Sequence, residues 1–318
     1  MIVTRAPAAR SVHPTAITIG NFDGVHRGHQ AMVARVIEAA RVRGLASCVV
    51  TFEPHPREFF TPERAPSRLT NLRTKLELLA TLGVDRVHVL HFTRAFASLS
   101  PQAFVERIVH HSLDARWVLA GDDFRFGARR AGDAALLAQL APRYSYEIAA
   151  MPTIAEAGIR ISSSAVRDAL QRGDLAAAER LLGHVYAISG RVVHGQKLGR
   201  ELGFRTANVE LKHNHPPLVG IYAVRAHGLD GGPWAGVASL GYRPTVTNER
   251  KATLEVHLFD FDRDIYGAHL RIEFLHKIRD EAKFAGLAEL KAAIADDCAS
   301  ARDYFSAPTT SIAVCRNG

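Results

Sequence analysis

The chain has 318 residues, long enough for two domains with separate cores, and its 47% apolar and 23% charged content is ordinary for a globular protein. No apolar run approaches the roughly 20 residues needed to span a bilayer, so no membrane partner is expected. The net charge of +8 suits polyphosphate substrates as well as nucleic acid, but Lys and Arg are scattered without a basic–aromatic run, so small anionic molecules are the expected partners and nucleic acid is not.

Residues 1–14 (MIVTRAPAARSVHP) carry basic side chains but no apolar core segment, so no secretion signal is expected. Cys48, Cys298 and Cys315 are far apart and form no CxxC pair. They give neither a disulfide framework nor a zinc site, and they suit a reducing cytoplasm.

Residues 15–29 (TAITIGNFDGVHRGH) organise the first half. Ile17 and Ile19 alternate among small residues, which suits a buried strand, and residues 20–24 break the pattern. Residues 30–43 resume with Met32, Val33, Val36, Ile37 and Ala40 at helical spacing, and Gly44 is a C-terminal stop. His26 and His29 therefore sit three residues apart where a loop becomes the first turn of a helix. Such a turn carries unpaired backbone N–H groups and the positive end of the dipole, so it accepts anions. Imidazole N–H groups aimed at the same point would complete a phosphate site suited to nucleotidyl transfer. A strand, glycine turn and helix also occur in many α/β proteins with only a surface histidine in the loop.

Further strands are predicted over residues 45–52, 85–92, 116–120 and 144–150. A helix over residues 70–82 has Leu72, Leu76 and Leu79 on one stripe, and Ser100-Pro101 reads as a cap followed by a first-turn proline. Strands alternating with helices indicate a parallel sheet covered on both faces, with ligands beyond the carboxyl ends of the strands. In TFEPHPREFF, Pro54 and Pro56 force an extended turn around His55, which could face a substrate or pack against the prolines. In GDDFRFGARRAGD, Gly121 and Gly127 frame a turn holding Asp122, Asp123 and Arg125, which alone reads as a polar surface loop. In ISSSAVR, Ser162, Ser163 and Ser164 are natural caps for a helix running to about Gln171.

After a short helix over residues 174–183 the character changes. Short strands at residues 185–193, 206–211, 220–226, 234–241, 253–259 and 270–274 read as an antiparallel barrel, followed after Gly286 by a helix. The expected domains are residues 1–184 and 185–310, with a tail at 311–318. In residues 190–208 (GRVVHGQKLGRELGFRTAN), Gly195, Gly199 and Gly203 interleave with Lys197 and Arg200, which suits close backbone approach to phosphates although no Walker sequence is present. In LEVHL, alternation puts Leu254, Val256 and Leu258 on one face, with Glu255 and His257 on the other. Taken alone, Glu255 is a solvated strand residue.

The string GNFDGVHRGH resembles the nucleotidylyltransferase signature. Together with later motifs over residues 15–304, the chain resembles the bacterial bifunctional riboflavin kinase/FMN adenylyltransferases (FAD synthetases). This resemblance implies an α/β fold: a Rossmann-like doubly wound parallel-sheet nucleotidylyltransferase domain, then a small antiparallel β-barrel kinase domain with a C-terminal helix. It implies ATP-dependent phosphorylation of riboflavin to FMN in the second domain. Adenylylation of FMN to FAD, with release of pyrophosphate, would follow in the first. It makes His26 and His29 catalytic, and assigns Gly20, Phe22, Gly24, Gly28, Ser164 and Arg167 to the nucleotide. His55, Asp123, Phe124 and Arg125 would contact flavin, with the choice between Asp122 and Asp123 open. In the second domain it assigns Gly195, Lys197, Gly199, Arg200, Thr206 and Asn208 to ATP, with Thr206 and Asn208 as Mg²⁺ ligands. Glu255 becomes the base for the ribityl hydroxyl, and Arg279 in KIRDEAKF a flavin contact.

Two departures from the family pattern stand out: Arg205 replaces the usual proline before Thr206, and Ser239 an asparagine in SLGYRPTV. Two other classes remain compatible with the residues, a nucleotidylyltransferase with another acceptor and a flavin- or nucleic-acid-binding protein without catalysis. Oligomeric state is left open.

Overall fold

Strands that are apolar on both sides must be covered on both sides, and this dictates the architecture of the first unit. The computed structural model describes residues 1–5, 11, 13–156, 158–195, 203–213, 215–244 and 250–307. These divide into two compact units, Met1–Arg167 with Arg180–Gly183, and Asp168–Glu179 with the chain from His184 onward.

In chain order the first unit begins β1 (Ile2–Arg5), β2 (Thr15–Ile19), α1 (Arg27–Arg43), β3 (Ala46–Glu53), α2 (Pro56–Phe60), α3 (Leu72–Thr81) and β4 (Arg86–His91). It continues with α4 (Arg94–Ala97), α5 (Pro101–Phe104), β5 (Ala115–Gly121), α6 (Ala134–Tyr144) and β6 (Glu147–Met151). A π-helical stretch, Val105–Ser112, extends α5. The sheet order is β1-β4-β3-β2-β5-β6 and every pair is parallel. All five residues of β2 are buried. Ile17 and Ile19 face a core with Phe104, Val105 and Leu137, while Ala16 packs with Val36 and Ala40 of α1 on the opposite face. The fold is thus Rossmann-like and doubly wound. From β2 the chain runs out to β3 and β4 on one side and later to β5 and β6 on the other. This reversal opens a crevice beyond the carboxyl ends of β2 and β5.

The structure has six strands here where the sequence predicts five. The extra one, β1, pairs with β4 at the sheet edge and is mostly exposed, so it lacks the apolar run that marks the others. Helix α1 starts at Arg27 rather than residue 30, because the His26 side chain caps it. Strand β6 starts at Glu147 rather than residue 144, since α6 runs on to Tyr144 and ends at Ser145 in the left-handed region.

A short hairpin, β7 (Ala155–Glu156) and β8 (Ile159–Arg160), leads to α7 (Ser163–Gln171) and α8 (Leu175–Leu182). The second unit contains β9 (Ala187–Val193), β10 (Ala207–Val209), β11 (Gly220–His227), β12 (Trp234–Pro244), β13 (Arg250–Leu258), β14 (His269–Arg279) and α9 (Leu287–Ser306). The strands form a closed barrel in the order β10-β13-β12-β11-β14-β9, antiparallel throughout. Closure removes the free edges that short strands would otherwise expose. Tyr222, Val224 and Ala226 of β11 are buried, and so are Ile221 and Ala223 on its other face, where Cys298 and Ala301 of α9 join their core cluster. In β13, Leu254, Val256 and Leu258 are buried while Glu255 and His257 are half-buried, as the alternation predicts. No described helix is long and apolar enough to cross a membrane.

Candidate active sites

The crevice at the ends of β2 and β5 deepens into a cavity of about 1050 Å³. One wall is the connection from β2 to α1. Phe22 (φ 48°) and Val25 (φ 42°) hold left-handed backbone there although neither is glycine, and Gly24 between them has φ 82°. Such conformations persist only where the surroundings over-determine them. Asp23, almost fully buried, accepts the Leu69 N–H at 3.1 Å and the Thr70 N–H at 3.0 Å. The Asn21 carbonyl accepts the Lys75 ammonium at 2.7 Å and the Thr51 hydroxyl at 3.1 Å. The Ser163 hydroxyl donates to the Asp23 carbonyl at 2.9 Å. The loop is therefore clamped from β3, from α3 and the segment before it, and from α7.

This clamp aims His26 and His29 at one place. His26 Nδ1 accepts the His29 N–H at 3.3 Å, and the two rings stack at 3.6 Å between centroids. Burial pushes the His26 imidazole down to about 4, against partial opposition from Asp23. Burial, then the neighbouring His26 and Lys75, hold His29 well below the usual imidazole range. Both rings are therefore neutral near pH 7. With Nδ1 used as an acceptor, the His26 proton sits on Nε2 and that atom is a donor. His29 Nδ1 is sealed from solvent with no hydrogen-bond partner among the described residues. What assembles is a pair of uncharged donors beside a helix start, which can stabilise negative charge without taking up a proton.

Gly20, Phe22, Gly28, Ser164 and Arg167 line the same cavity, while Gly24 lies behind its wall and donates its N–H to Thr70 Oγ1 at 3.1 Å. The Arg167 guanidinium is already engaged, donating to Asp23 Oδ2 and to the Ser67 carbonyl, each at 2.5 Å. Ser162 accepts the Ala165 N–H at 3.2 Å and so caps α7, leaving Ser164 exposed. His55 also lines the cavity, with Nδ1 capping α2 through the Arg57 N–H at 3.1 Å, and burial pushes its ring down to about 4. Asp123 pairs with Arg160 at 2.5 Å, Asp122 accepts the Thr153 N–H at 3.1 Å, and Arg125 donates to the Phe124 carbonyl at 2.9 Å.

Sequence reasoning singled out Phe124 but missed the rest of the aromatic side of the cavity. Phe52, Phe92, Phe96, Phe104, Phe126 and Phe124 form a chain of rings with successive centroids 5.4–6.0 Å apart. They come from β3, from the connections after β4 and β5, and from α4 and α5, so no local run announces them. It also missed Asp23 and Lys75. Lys75 is wholly buried, and burial pushes its ammonium down to about 8. A lysine four residues before Leu79, on the buried side of α3, was the available signal.

The second unit holds a smaller cavity of about 270 Å³, lined by Val192, Arg205, Thr206, Val256 and residues 261–266. Register fixes its neighbours, because Asn208 of β10 lies opposite Glu255 of β13. The Thr206 hydroxyl donates to Glu255 Oε2 at 3.5 Å. A Cβ at Gly195 would meet the Asn208 side-chain amide and displace it, so glycine keeps that amide in place. Lys197, Gly199 and Arg200 lie outside the described residues. Arg279, at the end of β14, makes a two-pronged ion pair with the buried Asp297 of α9 at 2.7 and 2.6 Å. Among the described residues no three His, Cys, Asp or Glu side chains cluster to hold a metal ion.

Residues 8–165 match the family model described as FAD synthetase, and residues 182–305 the one described as riboflavin kinase. A bifunctional riboflavin kinase/FMN adenylyltransferase of Escherichia coli (strain K12) is 50% identical over 289 residues, covering 91% of this chain and 92% of its own length. One from Pseudomonas fluorescens is 50% identical over 285 residues, covering 90% and 91%. A crystal structure from Streptococcus pneumoniae, described as a macrolide-efflux protein, is 29% identical with a TM-score of 0.81, covering 95% of this chain and 99% of that one. With both family models in order along one chain and such identity over nine-tenths of its length, this chain belongs to the family of bifunctional riboflavin kinase/FMN adenylyltransferases.

Proposed function

We propose that the two units carry out consecutive steps, riboflavin to FMN in the barrel and FMN to FAD in the sheet domain, with ATP as the second substrate each time. What supports this reading is that most candidates for the adenylyl step line the sheet unit's cavity, while Thr206 lines the barrel unit's own cavity with Glu255 and Asn208 next to it. We place the functional boundary at residues 184/185, with residues 311–318 as a tail.

In the barrel, Glu255 takes the proton of the ribityl primary hydroxyl as that oxygen attacks the γ-phosphorus of ATP, and ADP leaves. Thr206 and Asn208 would hold Mg²⁺. A hydroxyl and an amide oxygen side by side, with a carboxylate next to them, suit a hard cation that completes its shell from phosphate and water. The ion would supply neutralisation of the phosphate charge. Arg279 acts at the flavin side through its position at the end of β14.

In the sheet domain a phosphate oxygen of FMN attacks the α-phosphorus of the second ATP, and pyrophosphate leaves. That nucleophile is already an anion, so no base is needed, and the neutral His26 and His29 act as donors to charge moving onto the leaving group. The phenylalanine chain suits a planar flavin, with His55, Phe124 and Arg125 at its edge, and favours flavin over another phosphate acceptor. The protein acts on small molecules in the cytoplasm and needs neither membrane nor nucleic acid. Incubating the purified chain with riboflavin, Mg²⁺ and ATP and separating the flavins tests the whole: FAD is expected. FMN alone leaves only a kinase, and unchanged riboflavin leaves a binder.

A further inference from the structure

The connection from β5 to α6 carries two consecutive residues in the left-handed region, Arg129 (φ 53°) and Arg130 (φ 58°). For an L-residue with a Cβ this conformation is strained. The turn is not slack. Phe126 and Gly132 close it with paired backbone hydrogen bonds at 3.0 and 2.9 Å, and the Ala128 N–H donates to the Leu99 carbonyl at 2.7 Å. Either arginine could be glycine without loss to the backbone, so the charged side chains are what the strained turn presents. Both line the cavity that holds His26 and His29. Two other arginines of this cavity have their charge met by protein carboxylates, Arg167 by Asp23 and Arg160 by Asp123. Arg129 and Arg130 have no hydrogen bond or ion pair from their side chains among the described residues.

We propose that Arg129 and Arg130 form a preorganised anion clamp that holds a phosphate group of the substrates in this cavity. The inference rests on the reading of the cavity as an adenylyltransferase site and adds the residues that recognise the anion. A guanidinium presents a planar fork that matches phosphate oxygens in pairs, and a turn fixed at both ends spares the backbone part of the ordering cost of binding. The same chemistry could take the flavin phosphate or the β- and γ-phosphates that leave as pyrophosphate.

The test uses the full-length double variants Arg129→Gln/Arg130→Gln and Arg129→Gly/Arg130→Gly. The glycine pair removes charge and relieves the backbone, so it separates charge from turn geometry. Thermal unfolding of the sheet unit, expected to match wild type, reports that each variant is folded, and riboflavin phosphorylation in the barrel is expected to be unchanged. Both variants should raise one KM of adenylyl transfer at least tenfold while kcat changes far less. The difference from wild type should shrink as salt is raised. A rise for FMN alone identifies the flavin phosphate; a rise for ATP together with weaker inhibition by inorganic pyrophosphate identifies the nucleotide phosphates. Values within twofold of wild type for FMN, ATP and pyrophosphate overturn the clamp, and so does a glycine variant that behaves as wild type while the glutamine variant does not. Calorimetric titration with pyrophosphate alone keeps this separate from the parent reading. Wild type that makes no FAD, yet binds pyrophosphate more tightly than either variant, retains the clamp and rejects the adenylyltransferase assignment.

Discussion

The sheet unit and the barrel unit position phosphate chemistry in opposite ways. In the sheet unit the candidate residues lie on connections beyond strand ends and in the first turns of the helices that follow them. Left-handed backbone at Phe22 and Val25 is held in place by buried charged groups, Asp23 against Arg167 and Lys75 against the Asn21 carbonyl. In the barrel the described candidates lie on or next to the strands, and ladder register alone puts Asn208 opposite Glu255. A site on a connection can turn donors toward a point that no strand geometry reaches, but it depends on a few desolvated ions. A site on a ladder is fixed by many backbone hydrogen bonds and tolerates the loss of one side chain.

The largest expected effect breaks that contrast at its sharpest point. Asp23→Ala removes the acceptor of two backbone N–H groups and leaves Arg167 without its carboxylate. Breaking a buried pair in this way costs about 3–5 kcal/mol. In scanning calorimetry the sheet unit of Asp23→Ala should melt well below wild type, while Glu255→Ala in the barrel stays within about 1 kcal/mol. Equal destabilisation by both would mean that the two sites are held in the same way.

Next in size is the loss of chemistry. His29→Ala should reduce FAD formation by about a hundredfold or more, on the order of 3 kcal/mol, with riboflavin phosphorylation intact. Glu255→Ala should do the reverse and leave FAD synthesis from supplied FMN unaffected. Assaying both steps on both variants decides it, and equal damage to both activities in a folded protein would remove the two-site assignment.

The same contrast explains what was legible in the sequence. Alternation in LEVHL gave the buried and half-buried faces of β13 correctly, because a barrel strand obeys a period of two. The crevice at β2 and β5 was legible as well, since both strands are apolar runs followed by glycine. The role of Asp23 was not. It sits within GNFDG, but its partners Leu69, Thr70 and Arg167 are 46 to 144 residues away, and sequence spacing carries no trace of that closure. The phenylalanine chain beyond Phe124 was hidden for the same reason, and β1 because an exposed edge strand has no buried face to mark it.

A smaller effect follows from the histidines. His26 and His55 fold with pKa values lowered from 6.5 to about 4, so the unfolded chain binds protons first as pH falls. Their contribution is complete above pH 6.5 and is lost as pH drops from 6.5 toward 4, reaching about 2 kcal/mol per histidine at pH 5. Denaturant titrations of the sheet unit at pH 7.5 and 5 should show this loss, and His26→Gln should reduce it. By the same sign, FAD formation should lack a histidine limb near pH 6.5, since an imidazolium is not the working form. A pH–rate profile with an ascending or descending limb at 6.5 that His26→Gln or His29→Gln removes would count against neutral donors.

The smallest expected effect concerns Arg205, which stands where the family usually has proline. Proline would stiffen the backbone before Thr206 through its own ring. Here the Arg205 guanidinium donates to the Asp262 carbonyl at 3.1 Å, and the Arg205 carbonyl meets His257 Nδ1 at 2.8 Å. A tertiary tether thus does what ring closure does in the usual sequence, and it joins the two walls of the barrel cavity on either side of Thr206. One exposed hydrogen bond contributes about 0.5–1.5 kcal/mol. Arg205→Ala should therefore raise the KM for ATP in riboflavin phosphorylation by less than about tenfold and leave FAD formation from FMN unchanged. Arg205→Pro exchanges the tether for a stiff backbone while keeping the carbonyl that His257 holds, so it should lie nearer wild type than Arg205→Ala. If the alanine variant is the better enzyme of the two, the guanidinium is not a substitute for the ring, and Thr206 is positioned by the ladder alone.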